Sequence, residues 1–294
     1  MKRNRFSLVL ALFVVWLAIP AAQAASSLRF AAGEKGEFRF DTGVIKGVLR
    51  ADGKSKGFTS LIHMPSGMRV DRNTMGLLSP YRVFTTNHRY GTAAWDWTSV
   101  ARILDDGSLA VVWRSEKDRP FELKAKYIVE NADTLAVSFE VKAVEALPGF
   151  EVFLASYFDT PFTNAMVLAK TTDSGAARWV AATPDRGDWQ TLPRDDSAAS
   201  LFQDGRWKIE PNPVEWRLLE KFAEPKAMRR AGPNGLAAVI SADARDCFAI
   251  SMPYQTEGHY SLYFSLFGRT IAAGDTATAK VRMQITAKPE TGEH

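Results

Sequence analysis

The feature that most constrains the fold of this 294-residue chain is a two-residue alternation of apolar and polar side chains. Because strand side chains point alternately to the two faces of a sheet, such runs predict antiparallel strands with one buried face. Turn sequences such as Asp105-Asp106-Gly107 separate the runs. The predicted strands lie within residues 37–41, 44–49, 109–113, 121–127, 135–141, 150–154, 236–240, 248–252, 260–267 and 279–285.

Helical patterns are scarce in this sequence. Residues Val214–Phe222 fit a short helix or a strand equally well. The stretch from Thr171 to Pro233 is the least regular, and it predicts long loops or an excursion from one large sheet system. No Gly/Ser linker, proline tract or repeat divides the chain. We therefore predict an all-β fold in which residues 25–294 form one domain, a large antiparallel β-sandwich.

Residues 1–24 have the pattern of a cleavable signal peptide. A basic start, residues 2–5, precedes an uncharged apolar run that ends at Pro20, and Ala22-Gln23-Ala24 supplies the small-x-small sequence that signal peptidase recognises. The run of about 14 residues is shorter than the roughly 20 that cross a bilayer as a helix, which favours cleavage over an uncleaved anchor. We expect a mature chain that starts near Ala25, is periplasmic or secreted, and keeps no stable membrane anchor.

Charge and cysteine content exclude some partners and linkages. The formal net charge is +4, and loss of Lys2, Arg3 and Arg5 with the leader reduces the basic residues from 37 to 34 against 33 acidic ones. This balance leaves no positive surplus for nucleic acid, so no nucleic-acid partner is predicted. The single cysteine, Cys247, has no partner for an internal disulfide and lies in an apolar run, which predicts a core residue.

Familiar enzyme motifs are absent from the sequence. It contains no Gly-rich phosphate loop, dinucleotide fingerprint, Gly-x-Ser-x-Gly elbow or His-Glu-x-x-His pair. His63, His88 and His259 are far apart, so no metal-ligand spacing is visible. We therefore predict neither a metal site nor a cofactor.

The segment Gly76–Trp97 is rich in side chains suited to sugar recognition. Aromatic rings stack on the C–H face of a pyranose, while Arg and His donate hydrogen bonds to hydroxyls. Strand neighbours face opposite ways, so only one of His88 and Arg89 is expected to point into a cleft, and we predict that His88 does so, as an acid or a hydrogen-bond donor. The predicted sugar-cleft residues are Arg82, His88, Arg89, Tyr90 and Trp95.

Trp95 and Trp97 allow a second interpretation. They are two positions apart, so on a strand they share one face. Large sandwiches bury tryptophan, and that face is therefore equally compatible with core packing.

Carboxylates elsewhere in the chain are candidates for the opposite side of the cleft. Glu151 lies in an apolar run typical of a central strand, and a buried carboxylate needs a partner or has a raised pKa, as a general acid or base requires. Glu257 and His259, just before a predicted strand, form a further candidate pair. Trp189, in the irregular stretch, is predicted to lie on a loop over the binding cleft.

The closing strands resemble those of galactose-mutarotase-like proteins. The similar stretches are Tyr260–Arg269, Ile271–Thr276 and Ala279–Met283, and the opening residues 40–43 and 57–61 are similar to the start of the same superfamily. The resemblance implies a large antiparallel β-supersandwich that presents a concave sheet to a carbohydrate. The superfamily includes aldose epimerases, ancillary domains of glycoside hydrolases and polysaccharide lyases, and periplasmic glucan-processing proteins.

The resemblance also implies roles for individual residues. Mutarotases use a Glu base, a His acid and an early Asn-Arg pair; Asn87 and Arg89 resemble that pair with His88 between them, and Glu257 is the nearest match to the late Glu. Three functions stay open: a glycan-binding protein, an enzyme of epimerase, lyase or hydrolase type, and a structural envelope protein. An imidazole and a carboxylate within one sugar's width favour an enzyme, whereas aromatic rings without such a pair favour binding.

Overall fold

The computed structural model of the protein describes residues 27–51, 53–72, 75–170, 176–222, 226–254 and 260–287. The predicted signal peptide and the candidate pair Glu257 and His259 lie outside the described residues. Within the described ranges, no helix is long and apolar enough to cross a membrane.

Strand follows strand along the chain, as the alternation predicts, and the part that the structure describes has one α-helix, α1 (Asp196–Gln203). The strands are β1 (Ser27–Ala32), β2 (Glu37–Asp41), β3 (Ile45–Arg50), β4 (Gly53–Lys54), β5 (Gly57–His63), β6 (Met68–Arg69), β7 (Ser79–Thr85), β8 (His88–Arg89), β9 (Thr98–Ile103), β10 (Leu109–Trp113), β11 (Phe121–Val129), β12 (Thr134–Ala143), β13 (Leu147–Phe158), β14 (Asn164–Lys170), β15 (Ala177–Ala181), β16 (Trp189–Pro193), β17 (Arg217–Leu218), β18 (Lys226–Ala231), β19 (Ala237–Ala242), β20 (Cys247–Pro253), β21 (Tyr260–Ile271) and β22 (Thr276–Thr286).

The described strands pair into three sheets. A five-stranded sheet has the order β1-β2-β3-β5-β6, and a ten-stranded sheet has the order β15-β14-β18-β19-β22-β12-β11-β10-β9-β4. A seven-stranded sheet has the order β17-β16-β20-β21-β13-β7-β8. The pairs are antiparallel except for β16 and β17, which run parallel.

Strand β11 shows how the alternation builds the sandwich. Its residues from Phe121 to Val129 alternate strictly between buried and half-buried. The side chains of Phe121, Leu123 and Tyr127 enter the core, and the charged residues between them stay at the surface. Burying one face in this way stabilises the sheet by about 25 cal/mol for each Å² of apolar surface removed from water.

The main core lies between the sheets. Phe58 of the five-stranded sheet meets Tyr127 of the ten-stranded sheet with ring centroids 5.5 Å apart. Phe121 of the ten-stranded sheet meets Phe150 of the seven-stranded sheet at 5.2 Å. Cys247 is fully buried in this core, which confirms its predicted place. The predicted antiparallel sandwich is therefore confirmed.

Strand β13 is buried on both faces and has two kinds of neighbour. Val152 and Leu154 enter the main core, whereas Phe153 and Tyr157 belong to a second apolar cluster on the other face. Glu151 shares that second face, as the alternation predicts. We call this side of the seven-stranded sheet the aromatic face, because Phe84, Phe153, Tyr157 and Tyr263 lie on it.

The irregular stretch covers the aromatic face. Residues 196–216, here the covering segment, include α1 and a 3-10 turn at Arg206–Lys208, and they pack Phe202 and Trp207 onto the sheet. Helix α1 was not predicted from the sequence. It begins where the side chain of Asp195 accepts a hydrogen bond from the backbone N–H of Ala198 at 2.8 Å. Val214–Phe222 forms neither a helix nor a full strand; only β17 is regular there.

Candidate functional site

A bulge in β7 brings two neighbouring side chains to the aromatic face. Pro80 pairs with Leu154 and Arg82 pairs with Phe153, which leaves Tyr81 without a partner on β13. The guanidinium of Arg82 lies 5.0 Å from the centroid of the Tyr81 ring, so both side chains reach the same side. On a regular strand they would point to opposite faces.

The bulge forms one wall of a cleft between the aromatic face and the covering segment. The cleft has a volume of about 240 Å³. Ten residues line it, and we call it the aromatic cleft: Tyr81, Arg82, Phe153, Trp189, Trp207, Asn212, Pro213, Val214, Trp216 and Tyr263. Its volume lies just below the roughly 300–1,000 Å³ of pockets for drug-sized ligands, which suits a single sugar unit.

Aromatic rings hold the cleft walls in place by packing on one another. The ring of Phe153 stacks on Tyr263 at 4.6 Å and meets the edge of Trp207 at 4.6 Å. Trp216 crosses both Trp207 and Trp189 at interplanar angles of 80° and distances of 5.3 and 5.5 Å. Such edge contacts stabilise by about 0.5–1.5 kcal/mol each and fix the orientation of the rings.

Three buried donors in the cleft-lining residues lack an acceptor. They are Nε of Arg82 and the indole nitrogens Nε1 of Trp207 and Trp216, none of which has a hydrogen-bond partner among the described residues. A buried donor left unpaired costs about 1–3 kcal/mol. These donors give the cleft wall hydrogen-bonding capacity that the described residues do not use.

Arg82 and Arg89 donate hydrogen bonds to backbone carbonyls of the loop that borders the cleft. Arg82 Nη2 donates to the carbonyl of Asn212 at 2.9 Å. Arg89 Nη1 donates to the carbonyls of Pro211 at 2.5 Å and Ile209 at 3.4 Å, and its Nη2 donates to Thr92. Burial, and then the charge of Arg82, lower the pKa of Arg89 to about 10, so the Arg89 guanidinium stays charged at neutral pH.

A third arginine, Arg206, forms a buried ion pair on the neighbouring part of the same face. Arg206 Nη1 donates to Oε2 of Glu151 at 2.9 Å, and its Nη2 donates to Oδ2 of Asp204 at 2.8 Å. The side chains of Glu151 and Arg206 are both fully buried. Burial raises the pKa of the Glu151 carboxyl, and the Arg206 guanidinium opposes that shift. Glu151 therefore sits in a closed ion pair and does not line the aromatic cleft.

Solved structures of the same architecture support the sequence resemblance. No family model matches the sequence, and no curated protein matches it. A galactose mutarotase related enzyme from Lactobacillus acidophilus aligns over 88% of this chain and 100% of its own, with a TM-score of 0.51 and 10% sequence identity. The chain has a galactose-mutarotase-like fold.

Two larger proteins contain the same mutarotase-like fold. An α-N-acetylgalactosaminidase from Bifidobacterium bifidum in complex with GalNAc matches at a TM-score of 0.53 and 10% identity, over 86% of this chain and 36% of that one. A mutant heparan sulfate lyase from Pedobacter heparinus matches at 0.51 and 9% identity, over 90% and 37% of the two chains. This chain thus corresponds to about a third of each.

In the mutarotase-like sheet, Arg89 and not His88 takes the inward position. Arg89 pairs with Phe84 across the β7–β8 hairpin, and Phe84 lies on the aromatic face. Alternation then directs His88 the other way, where it is exposed. One residue of the pair therefore points to the aromatic face, and it is Arg89 rather than the predicted His88.

Tyr90 faces the core for the same reason. Its ring meets Phe121 of the main core at 5.0 Å, and its hydroxyl lies 3.3 Å from Oγ1 of Thr85. Tyr90, a predicted sugar-cleft residue, therefore packs in the main core and does not line the aromatic cleft.

Trp95 and Trp97 do not share a face, because a 3-10 turn at Ala94–Asp96 replaces the expected strand. Trp95 stacks on Tyr81 at 4.3 Å with an interplanar angle of 7°, so it supports the cleft wall from behind. Trp97 packs instead under Arg119, whose guanidinium lies 4.2 Å from its ring centroid.

Among the predicted site residues, Arg82 and Trp189 line the aromatic cleft. Trp189 begins β16 and is not on a loop as predicted. Trp207, Trp216 and Tyr263 also line the cleft, and they were not among the predicted site residues. A usable signal was present, because half of the eight tryptophans lie in the otherwise irregular stretch 171–233.

Other features of the described residues are less suited to a sugar. A larger cavity of about 570 Å³ lies beside β14, β18 and β19, and its described lining includes Arg229 and Arg230 but only one aromatic residue, Tyr254, where the aromatic cleft has six. Within the described part of the chain, no group of three or more His, Cys, Asp or Glu side chains is placed to hold a metal ion.

Proposed function

We propose that this protein is an exported carbohydrate-binding protein that holds one sugar unit of a glycan in the aromatic cleft. The observation that carries the proposal is the combination of aromatic walls with the three unpaired donors of Arg82, Trp207 and Trp216. Sugars present apolar C–H faces and many acceptor oxygens, so they match both features.

The cleft favours binding over catalysis. Among its described lining residues there is no His, Asp or Glu. General acid–base chemistry requires such a group within hydrogen-bond reach of the reacting atom. Glu151, a buried carboxylate on this face, is held by Arg206.

The fold is consistent with a sugar ligand. The neighbours that share it include an enzyme related to galactose mutarotase and a glycosidase in complex with GalNAc. In this chain, the aromatic cleft supplies rings and unpaired donors that suit such a ligand.

Export follows from the pattern of residues 1–24. We expect the protein recovered from the periplasm or the medium to begin near Ala25. N-terminal mass spectrometry tests this, and an intact Met1 in a membrane fraction would contradict it.

Binding is tested by a glycan array followed by calorimetry on the glycans retained. The Trp216→Ala variant removes a ring and a donor from the cleft, so its affinity should fall roughly 5- to 100-fold, corresponding to about 1–3 kcal/mol. Trp97→Ala is the matched control, because Trp97 packs on the opposite side against Phe121 and Arg119.

Equal affinity in Trp216→Ala and the native protein would contradict the proposed site. Analysis of the titrated glycan for new products tests the enzymatic alternative, because a binding protein leaves the glycan unchanged.

A further inference from the structure

Arg82 is a buried guanidinium in the cleft without a carboxylate partner. The residue is 4% exposed. Its hydrogen bonds go to uncharged oxygens, the Asn212 carbonyl at 2.9 Å and the Tyr81 hydroxyl at 3.4 Å. Within the described residues no Asp or Glu pairs with it, and its Nε has no acceptor. The positive charge of the cleft is therefore not neutralised locally.

Arg206, on the same face, differs from Arg82 in having carboxylate partners. Arg206 is held by Glu151 and Asp204, so its charge is neutralised within the fold. Buried charges are normally paired, because loss of hydration is costly without a counter-charge. The absence of such a pair at Arg82 points to a counter-charge supplied by the ligand.

Arg89 adds a second positive charge close to the first. Its guanidinium also bonds to carbonyl oxygens, and the charge of Arg82 contributes to its lowered pKa. The negative charge of Glu210 raises the pKa of Arg89, but Glu210 is exposed to solvent. Two arginines beside a cleft with no acidic lining residue create a positive field that attracts anions.

We propose that the sugar unit held in the aromatic cleft carries an anionic group, a carboxylate or a sulfate, that pairs with Arg82. The planar guanidinium suits both groups, because it offers parallel N–H donors to two oxygens. This inference rests on the proposed function and narrows it to acidic glycans.

The first test uses the native protein and pairs of acidic and neutral sugars. Calorimetry compares the methyl glycosides of glucuronic, galacturonic and mannuronic acid with those of glucose, galactose and mannose, and galactose 6-sulfate is added to separate sulfate from carboxylate. At least one acidic sugar should bind tenfold or more tighter than its neutral counterpart at low salt. The ratio should narrow in high salt, because ions screen the pair.

The second test uses Arg82→Gln, with Arg82→Lys as the conservative variant and the exposed Arg102→Gln as the matched control. Arg82→Gln should remove the acidic preference, because the affinity for acidic sugars should fall at least tenfold more than the affinity for their neutral counterparts. Arg82→Lys should retain part of the preference, since the charge remains. Thermal melting checks that each variant folds; if Arg82→Gln does not, the native acid-to-neutral ratio and its salt dependence decide.

The outcomes separate the two proposals. Neutral sugars that bind as tightly as acidic ones in every pair would overturn the acidic specificity and leave the sugar-binding function standing. An acidic preference that survives in Arg82→Gln would also overturn the role of Arg82. Failure of every sugar to bind would overturn the proposed function, and the acidic specificity with it.

Discussion

Two places on the aromatic face bury an arginine, and they differ in what surrounds it. At Arg206, Glu151 and Asp204 supply two carboxylates, and the pair with Glu151 is completely closed to solvent. At Arg82, the partners are a backbone carbonyl and a tyrosine hydroxyl, and aromatic rings form a cleft beside the guanidinium. At the first place the guanidinium has two carboxylate partners within the fold, whereas at the second it has none among the described residues.

The same covering segment produces both places. Its 3-10 turn inserts Arg206 between Glu151 and Asp204, which anchors the segment to β13. A few residues later, the backbone carbonyls of its loop accept hydrogen bonds from Arg82 and Arg89. We infer that the anchored part fixes the position of the wall, and that the tethered loop forms the edge of the site.

The largest effect is expected from breaking the closed pair. Arg206→Met leaves Glu151 buried without a counter-charge, and removing one partner of a buried pair typically costs about 3–5 kcal/mol. For a chain of this size the melting temperature should fall by roughly 6–15 °C. Adding Glu151→Gln to Arg206→Met should recover part of the loss, and a single variant that melts like the native protein would contradict the structural role of the pair.

A smaller loss of stability is expected when a substitution crowds the Glu151–Arg206 pair without removing its charges. Gly149 has φ +56°, and a Cβ there would lie 3.0 Å from Nη2 of Arg206 and 2.9 Å from Oγ1 of Thr86. Gly149→Ala should therefore cost about 1–3 kcal/mol through backbone strain and displacement of Arg206. Chemical denaturation measures this, and Gly67→Ala, with φ +66° and nothing within 4 Å, separates strain from crowding. Equal losses in both variants would exclude crowding of Arg206 as the cause.

Loss of the hydrogen bonds to the tethered loop should increase hydrogen exchange locally and reduce the stability of the whole fold by a smaller amount. Arg89→Met removes the donors to Thr92, Ile209 and Pro211 and should cost about 1–2 kcal/mol of stability. Hydrogen exchange should rise in residues 209–213 and stay unchanged at α1, where no contact is lost. If amide hydrogen exchange in Arg89→Met changed equally across the whole covering segment, the distinction between its anchored part and its loop would be contradicted.

The smallest effect is expected at His88. Its side chain is exposed and meets only the edge of Tyr90, at 4.5 Å. His88→Ala should change the free energy of unfolding by no more than about 0.5 kcal/mol and leave glycan affinity unchanged. A large loss of affinity in a folded His88→Ala protein would restore the predicted role of His88 and place the site elsewhere.

The sheet could be predicted from the sequence because one rule governs it. Alternation along Phe121–Val129 and Glu151–Ala155 assigns each side chain to a face, and the structure confirms both assignments. Alternation also predicts that His88 and Arg89 diverge. It does not say which of them faces the cleft, because that depends on the hairpin register between Phe84 and Arg89.

The site itself was less predictable, because it depends on departures from that rule. Tyr81 and Arg82 share a side through a bulge, and Trp95 and Trp97 are separated by a 3-10 turn. Trp207 and Trp216 reach the sheet through a segment with no periodic pattern, and long-range pairs such as Glu151 with Arg206 have no local signature.

A crystal structure with the tightest glycan from the array tests the central claim most directly. We predict one sugar ring in the aromatic cleft, packed on at least one of Tyr81, Trp189 and Trp216, with a ligand oxygen within hydrogen-bond distance of Nε1 of Trp207 or Trp216 or of Nε of Arg82. A glycan bound instead in the larger cavity beside β14, β18 and β19, with the aromatic cleft unaltered, would contradict the account.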